Sequence, residues 1–208
     1  MNTNQHQNIK DFPDIETWRR TVIKPGDLPQ YLRQDFYDYY KSKFKIALSI
    51  KPLSICEIGV RWGYSAFSFL SAAPAAHYTG FDIMDGTHGG ARGLDTFDYV
   101  RSMLSGHFPQ AVIDLRHEDT RKLRDLGGPY DFVHVDGDHS EDAASHDIWM
   151  ALQACRPGGM VLVDDYNYIA GVTRAADYIL SGAPEQIARH WTQDSLRGEL
   201  ILIKGEPK

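Results

Sequence analysis

Short, nearly continuous apolar runs alternate along this chain with stretches whose apolar residues recur every three to four positions, and that alternation constrains the fold more than any single motif. The runs Ser54 to Gly59, Tyr78 to Ile83, Ala111 to Leu115, Asp131 to Asp136, Met160 to Asp164 and Leu200 to Lys204 read as strands. Most are too uniformly apolar to have a wet face, which suits strands covered on both sides. Ile148, Ala151, Leu152 and Cys155, then Val172, Ala175, Ala176 and Ile179, have helical spacing between them. Phe36, Tyr40, Phe44, Ala47 and Leu48 predict a further helix that ends before Pro52. Strands alternating with helices predict a parallel, doubly wound α/β sheet, whose ligands sit at the carboxyl ends of the strands. Residues 1–30 read as a polar, partly flexible segment and residues 31–208 as one domain.

The bulk properties agree with a single core: 208 residues, 42% of them hydrophobic and 24% charged. With 22 basic and 28 acidic residues the net charge is -6, which argues against nucleic acid or an anionic membrane as partner. The first ten residues lack an apolar core of the signal-peptide kind, and no apolar run approaches the ~18 residues of a membrane span. A cytoplasmic protein is expected. Cys56 falls in a strand and Cys155 on the apolar face of a helix, without metal-binding spacing, so both read as reduced core thiols.

The residues after each strand carry the chemistry. Glu57-Ile58-Gly59-Val60-Arg61-Trp62-Gly63-Tyr64-Ser65 is not the glycine pattern of dinucleotide binders. Gly59 allows a sharp turn close to a ligand and Gly63 a helix start against it. Glu57 beside that turn either meets an ammonium or sulfonium or is merely solvated. Asp82 ends the second strand, where an acid either accepts from both hydroxyls of a ribose or serves as a cap or turn residue. Asp119 belongs to the adenine or ribose side of such a nucleoside, or else caps a helix. Asp136, Asp164 and Asp165, at the tips of the fourth and fifth strands, are carboxylates close enough to repel, which a divalent cation with oxygen ligands resolves, unless Asp164 and Asp165 simply open a loop. Asp138 with Glu141 reads as a helix N-cap pair. An EF-hand reading of Asp136-x-Asp138 fails, because its glycine and glutamate are misplaced.

Glu57-x-Gly59-x-x-x-Gly63-Tyr64-Ser65-Ala66, Asp82, Asp136 and Asp164-Asp165 together resemble the metal-dependent class I O-methyltransferases typified by catechol O-methyltransferase. The likeness covers roughly residues 50 to 180. Val135-Asp136-Gly137-Asp138-His139-Ser140 resembles most the antibiotic-sugar O-methyltransferases within that group. The resemblance implies a Rossmann-like, mostly parallel seven-stranded sheet with helices on both faces, and a role in natural-product tailoring. It implies that Glu57, Gly59, Gly63, Ser65, Asp82, Asp119 and Asp136 line S-adenosylmethionine and that Asp136, Asp164 and Asp165 hold Mg²⁺ or another divalent cation. The chain departs from the catechol enzyme in two ways: His139 stands where that enzyme has its lysine base, and the metal pair is Asp-Asp rather than Asp-Asn.

Methyl transfer from a sulfonium needs an anionic oxygen, so a metal-bound hydroxyl of a small-molecule acceptor would lose its proton to His139. His139 is equally read as an exposed first-turn helix residue. Met84 to Gly93 reads as a mobile loop over the site or an inert connection, and Trp62 as a floor for the methionine moiety. Trp18, Tyr31, Phe36 and Tyr40 cap an acceptor pocket, pack on a helix face or meet a second copy in a homo-oligomer. Two other readings compete. His134, which by its place in the strand reads as a core residue or a support for the site, could instead join His139 and an acid such as Asp165 in a two-histidine, one-carboxylate oxygenase or hydrolase site. The domain could also bind a nucleotide without catalysis.

Overall fold

In a computed structural model that describes residues 11–86, 92–93 and 95–206, the apolar runs become neighbouring strands of one seven-stranded sheet. The strands are β1 (Ser54–Ile58), β2 (His77–Asp82), β3 (Val112–His117), β4 (Tyr130–Val135), β5 (Cys155–Val163), β6 (Ile187–Gln193) and β7 (Glu199–Lys204), in the order β3-β2-β1-β4-β5-β7-β6. Pairings among β1 to β5 are parallel, while β7 runs antiparallel to both β5 and β6. The helices are α1 (Ile15–Thr21), α2 (Gln34–Ile50), α3 (Tyr64–Ala72), α4 (Asp95–His107), α5 (Glu141–Ala154) and α6 (Ala170–Gly182). The α/β, doubly wound expectation holds.

Strand residues alternate between two cores, as the period of two requires. Ile55, Phe132, Met160, Leu162 and Ile201 pack with α2, α3 and α4, whereas Cys56, Ile58, Val133, Val135, Val161 and Val163 pack with α5 and α6. The parity extends to polar positions. Glu57 and His134 are direct neighbours across β1 and β4, on the α2 side of the sheet. Leu162 lies opposite Ile201, so continuing the alternation by two puts Asp164 and Glu199 on that side as well.

Three expectations are revised. The N-terminal segment carries α1, capped by Asp14, whose side chain accepts from Thr17 N at 2.9 Å, and Trp18 on that helix is fully buried against Tyr40 and Phe67. Cys155 sits at the C-cap of α5 and opens β5 rather than lying on the helix face, because the chain turns directly from one element into the other. It and Cys56 are free and buried, and burial pushes the Cys155 thiol up to about 12. β6 was not expected: as an exposed edge strand of mixed sequence it has no apolar run to reveal it. Residues 87–91 and 94 of the glycine-rich stretch lie outside the described residues. No helix among the described residues is long and apolar enough to cross a membrane.

Candidate active site

Strand register brings the strand ends together. Ile58 pairs with Phe81 and Val135, and Val135 pairs with Val163, so Gly59, Asp82, Asp136 and Asp164 each stand one step beyond the same row. Above this row opens a cleft of about 270 Å³. Gly59, Ser65, Asp82, Asp119, Asp136 and His139 line it; Glu57, Gly63, Asp164 and Asp165 do not.

Gly59 has φ +90, and a Cβ there would lie 1.9 Å from the carbonyl oxygen of Asp136. The glycine is therefore required first by the neighbouring strand end. Gly63, at φ +76, caps α3 and faces Val100 and Met103, away from the cleft. Asp82 ties the turns together: one oxygen accepts from Val60 N at 3.0 Å and Arg61 N at 2.8 Å, the other from Met84 N at 2.8 Å. Arg61 in turn grips Asp27 through both terminal nitrogens, at 2.9 and 2.7 Å, and Tyr64 donates to the same carboxylate at 2.8 Å. This clasp holds the segment carrying Leu28, Gln30 and Tyr31 as one wall of the cleft. Trp62 lines the cleft with the Lys24 ammonium 4.3 Å from its ring centre.

Glu57 is fully buried and does not reach the cleft. Its carboxylate accepts from Ser65, Tyr78 and His134 Nδ1, the last at 2.8 Å. The parity of β1 explains this, since Glu57 faces α2 and α3 while the chain turns toward the cleft only at Gly59. At the far end of the cleft Asp119 accepts from Arg121 N and side chain, and Arg121 holds its carboxyl down at about 2. It also caps the 3-10 turn Thr120–Lys122, so the capping alternative holds while the residue still borders the cleft. Asp138 accepts from Ser140 N at 2.8 Å, and Ser140 rather than Asp138 is the N-cap of α5.

The acidic cluster divides in two. Lys43 of α2, fully buried, lies 3.1 Å from Asp164 Oδ1, 3.0 Å from Glu199 Oε1 and 3.1 Å from His134 Nε2. His134 Nδ1 serves Glu57, so Nε2 is the atom that faces the ammonium. Burial alone would lower the Lys43 value, but Asp164 and Glu199 outweigh it and hold the amine charged. The second Asp164 oxygen accepts from the Tyr39 hydroxyl. Against the burial that would raise it, Lys43 first and then the Tyr39 hydrogen bond keep Asp164 ionised, well below the usual carboxylate range.

Asp165 turns the other way through a left-handed backbone conformation, φ 57. Its Oδ2 lies 3.4 Å from His139 Nε2 and 3.3 Å from the Arg197 guanidinium, and His139 Nε2 is 3.5 Å from Asp136 Oδ1. Burial first, then Asp164 and Asp136, push Asp165 up to about 7. Burial and Asp164 raise Asp136, and the hydrogen bond with Asp136 raises His139. Arg197 is packed under Phe36, Tyr39 and Tyr168 at 5.5 to 5.9 Å.

Ligand-type atoms of Asp136, His139 and Asp165 thus lie within 4.8 Å of one another. His134, Asp136 and Asp164 are as close; both His134 nitrogens have hydrogen-bond partners, whereas Asp164 accepts from Tyr39 through Oδ2 and its Oδ1 has Lys43 beside it without a hydrogen bond. The two-histidine reading loses its support with His134, whose two nitrogens are both engaged, while Asp164 stands in the second group with Lys43 and Tyr39 as its neighbours. Sequence reasoning missed Lys43, Tyr39, Arg197 and Asp147. The signal for Lys43 was available: a lysine among Tyr39, Tyr40, Phe44 and Ala47 on the buried face of α2 needs an acid opposite.

Comparison with known proteins accords with this geometry. A family model described as a methyltransferase domain matches residues 56–166, more than half of the chain. No curated protein matches the chain in sequence. Among solved structures, the SAH-bound methyltransferase PaMTH1 of Podospora anserina is 17% identical, with 96% of this chain and 91% of that one covered and a TM-score of 0.68. The SAM-bound O-methyltransferase TomG of Streptomyces achromogenes, involved in tomaymycin synthesis, is 19% identical over 96% and 93% of the two chains, with a TM-score of 0.65. An SAH-bound O-methyltransferase of Bacillus cereus gives 14%, 92%, 96% and 0.62. These likenesses show the fold, and the match over residues 56–166 shows that the chain belongs to the methyltransferase-domain family.

Proposed function

We propose that the chain transfers a methyl group from S-adenosylmethionine to a hydroxyl of a small molecule, with a divalent cation held by Asp136 and Asp165. The observation that carries the reading is the single cleft shared by the Gly59 turn, Asp82 and the Asp136-His139 pair, with Asp165 against that pair. Charge supports it. Burial and Asp164 raise both Asp136 and Asp165, so a dication between these carboxylates would relieve their repulsion. The donor set fits a hard cation bound through two carboxylates, with water and acceptor oxygens completing it. The cofactor supplies an electrophilic methyl, and the cation supplies Lewis acidity at the acceptor oxygen.

Each residue then has a task. Asp82, held by three backbone amides, has one lone pair left, on Oδ1, to present to a ribose hydroxyl. His139 Nε2 takes the acceptor proton, and the carboxylates beside it favour the imidazolium so formed. Arg197 keeps Asp165 aimed at the cleft edge. Tyr31, Tyr39 and Tyr40 give the acceptor side an aromatic wall. Solved O-methyltransferases with SAM or SAH on the same fold make this the favoured reading.

Calorimetric titration with S-adenosylhomocysteine, with and without Mg²⁺, tests it directly. Binding is expected in both cases, and methyl transfer to catechol and sugar acceptors should stop with chelation and fall at least about 100-fold in Asp136→Asn. Absence of binding to the nucleoside would end the reading. Transfer unaffected by chelation would remove the cation from it.

A further inference from the structure

Asp147 is a buried acid that the scheme above leaves without a task. It projects from α5 with 2% of its surface exposed, yet it is one of the residues lining the cleft. One oxygen, Oδ1, accepts from the Thr120 hydroxyl at 2.6 Å. Among the described residues no donor hydrogen-bonds the other. Oδ2 rests against the bare backbone of Gly137, where a Cβ would come within 2.8 Å of it. Glycine at that position leaves the carboxylate its place between the ends of β3 and β4. Burial raises Asp147 to about 6, so a group that costs free energy to ionise is kept beside a cavity.

The location indicates what it meets. If Asp82 at the end of β2 holds the ribose, the base of the same nucleoside extends toward Asp119, Thr120, Gly137 and Ala143, all lining the cleft. We infer that Asp147 reads the nucleobase, its Oδ2 accepting a hydrogen bond from an exocyclic amino group and so selecting a 6-aminopurine. This rests on the proposed use of S-adenosylmethionine and adds a specificity-determining residue to it. Thr120 matters because it anchors Oδ1 and leaves Oδ2 as the reading atom. A 6-oxopurine would set its carbonyl lone pairs against the carboxylate and leave a buried acceptor unpaired, an arrangement that costs about 10- to 100-fold in affinity.

The test compares S-adenosylhomocysteine with S-inosylhomocysteine, its 6-oxo analogue, by calorimetry at pH 7.5, a condition chosen to be above about 6 so that Asp147 is ionised. Wild-type protein is expected to prefer the amino compound about 10- to 100-fold. In Asp147→Asn the Thr120 anchor leaves an amide nitrogen in the place of Oδ2, so the preference should fall below about 3-fold or reverse. Thr120→Val, which keeps the charge but frees the carboxylate, should narrow the preference by a smaller factor. A merely structural Asp147 would weaken both ligands alike and leave their ratio intact, which overturns the assignment. Equal affinities in the wild-type protein overturn it without any variant. If neither compound binds the wild type, the methyltransferase reading itself falls, and that outcome is distinct from either of the others.

Discussion

Lys43 holds two buried carboxylates and an imidazole at once, so its removal leaves Asp164 and Glu199 without a countercharge. Lys43→Met is expected to lower stability by about 3–5 kcal/mol in urea unfolding, and Asp164→Asn in that background should recover part of the loss. A loss below about 1 kcal/mol would mean that water or other groups already screen the pair. Asp147 gives the clearest pH effect. Its folded value of about 6 lies above the ordinary 3.8, so between these limits the native state holds a proton that the unfolded chain has released. Stability therefore falls as pH rises from about 4 to about 6, by about 2–3 kcal/mol, and then levels. Asp147→Asn should flatten that fall, read as the difference between wild-type and variant urea midpoints at pH 4.5 and 6.5, values taken inside and above the window that about 6 sets. Much of the candidate site was legible residue by residue: Gly59, Asp82, Asp136 and His139 gather at one cleft as their post-strand positions required. What was not legible was parity. Glu57 lies within β1, and Asp164 keeps the alternation of β5, so both face α2 rather than the cleft.

At the scale of elements, most strands that could be read from sequence are buried on both faces, because burial imposes a continuous apolar run; β3, an edge strand with only Leu115 buried, is the exception. β6 shows the converse: its exposed edge residues, from Ala188 to Thr192, answer to solvent and carry no such run. α1 was hidden for another reason. Seven residues with a single buried position give no periodicity to count, yet Trp18 joins the core that α2 and α3 build. Trp18→Ala is therefore expected to cost about 3–5 kcal/mol by chemical denaturation, like a truncation in the centre of a core. A cost under about 1 kcal/mol would return the segment to the periphery. The Arg61 and Asp27 clasp gives this segment a second attachment, from the turn after β1 to the wall carrying Tyr31.

For the molecule as a whole, the sheet separates two apolar cores and directs the polar groups of its α2 side into one buried chain, from Glu199 through Lys43 and His134 to Glu57, Tyr78 and Ser65. That chain joins α2 to β1, β4 and β7, and hydrogen bonds linked in this way polarise one another. The partners of Lys43 come late: Asp164 and Glu199 lie on β5's end and β7, far along the sequence from α2. A nascent chain leaving the ribosome thus carries an amine destined for the interior long before its counter-ions have been translated. Until residue 199 emerges, burying the Lys43 face of α2 would leave its ammonium without one of its two carboxylate partners, a costly arrangement in the interior.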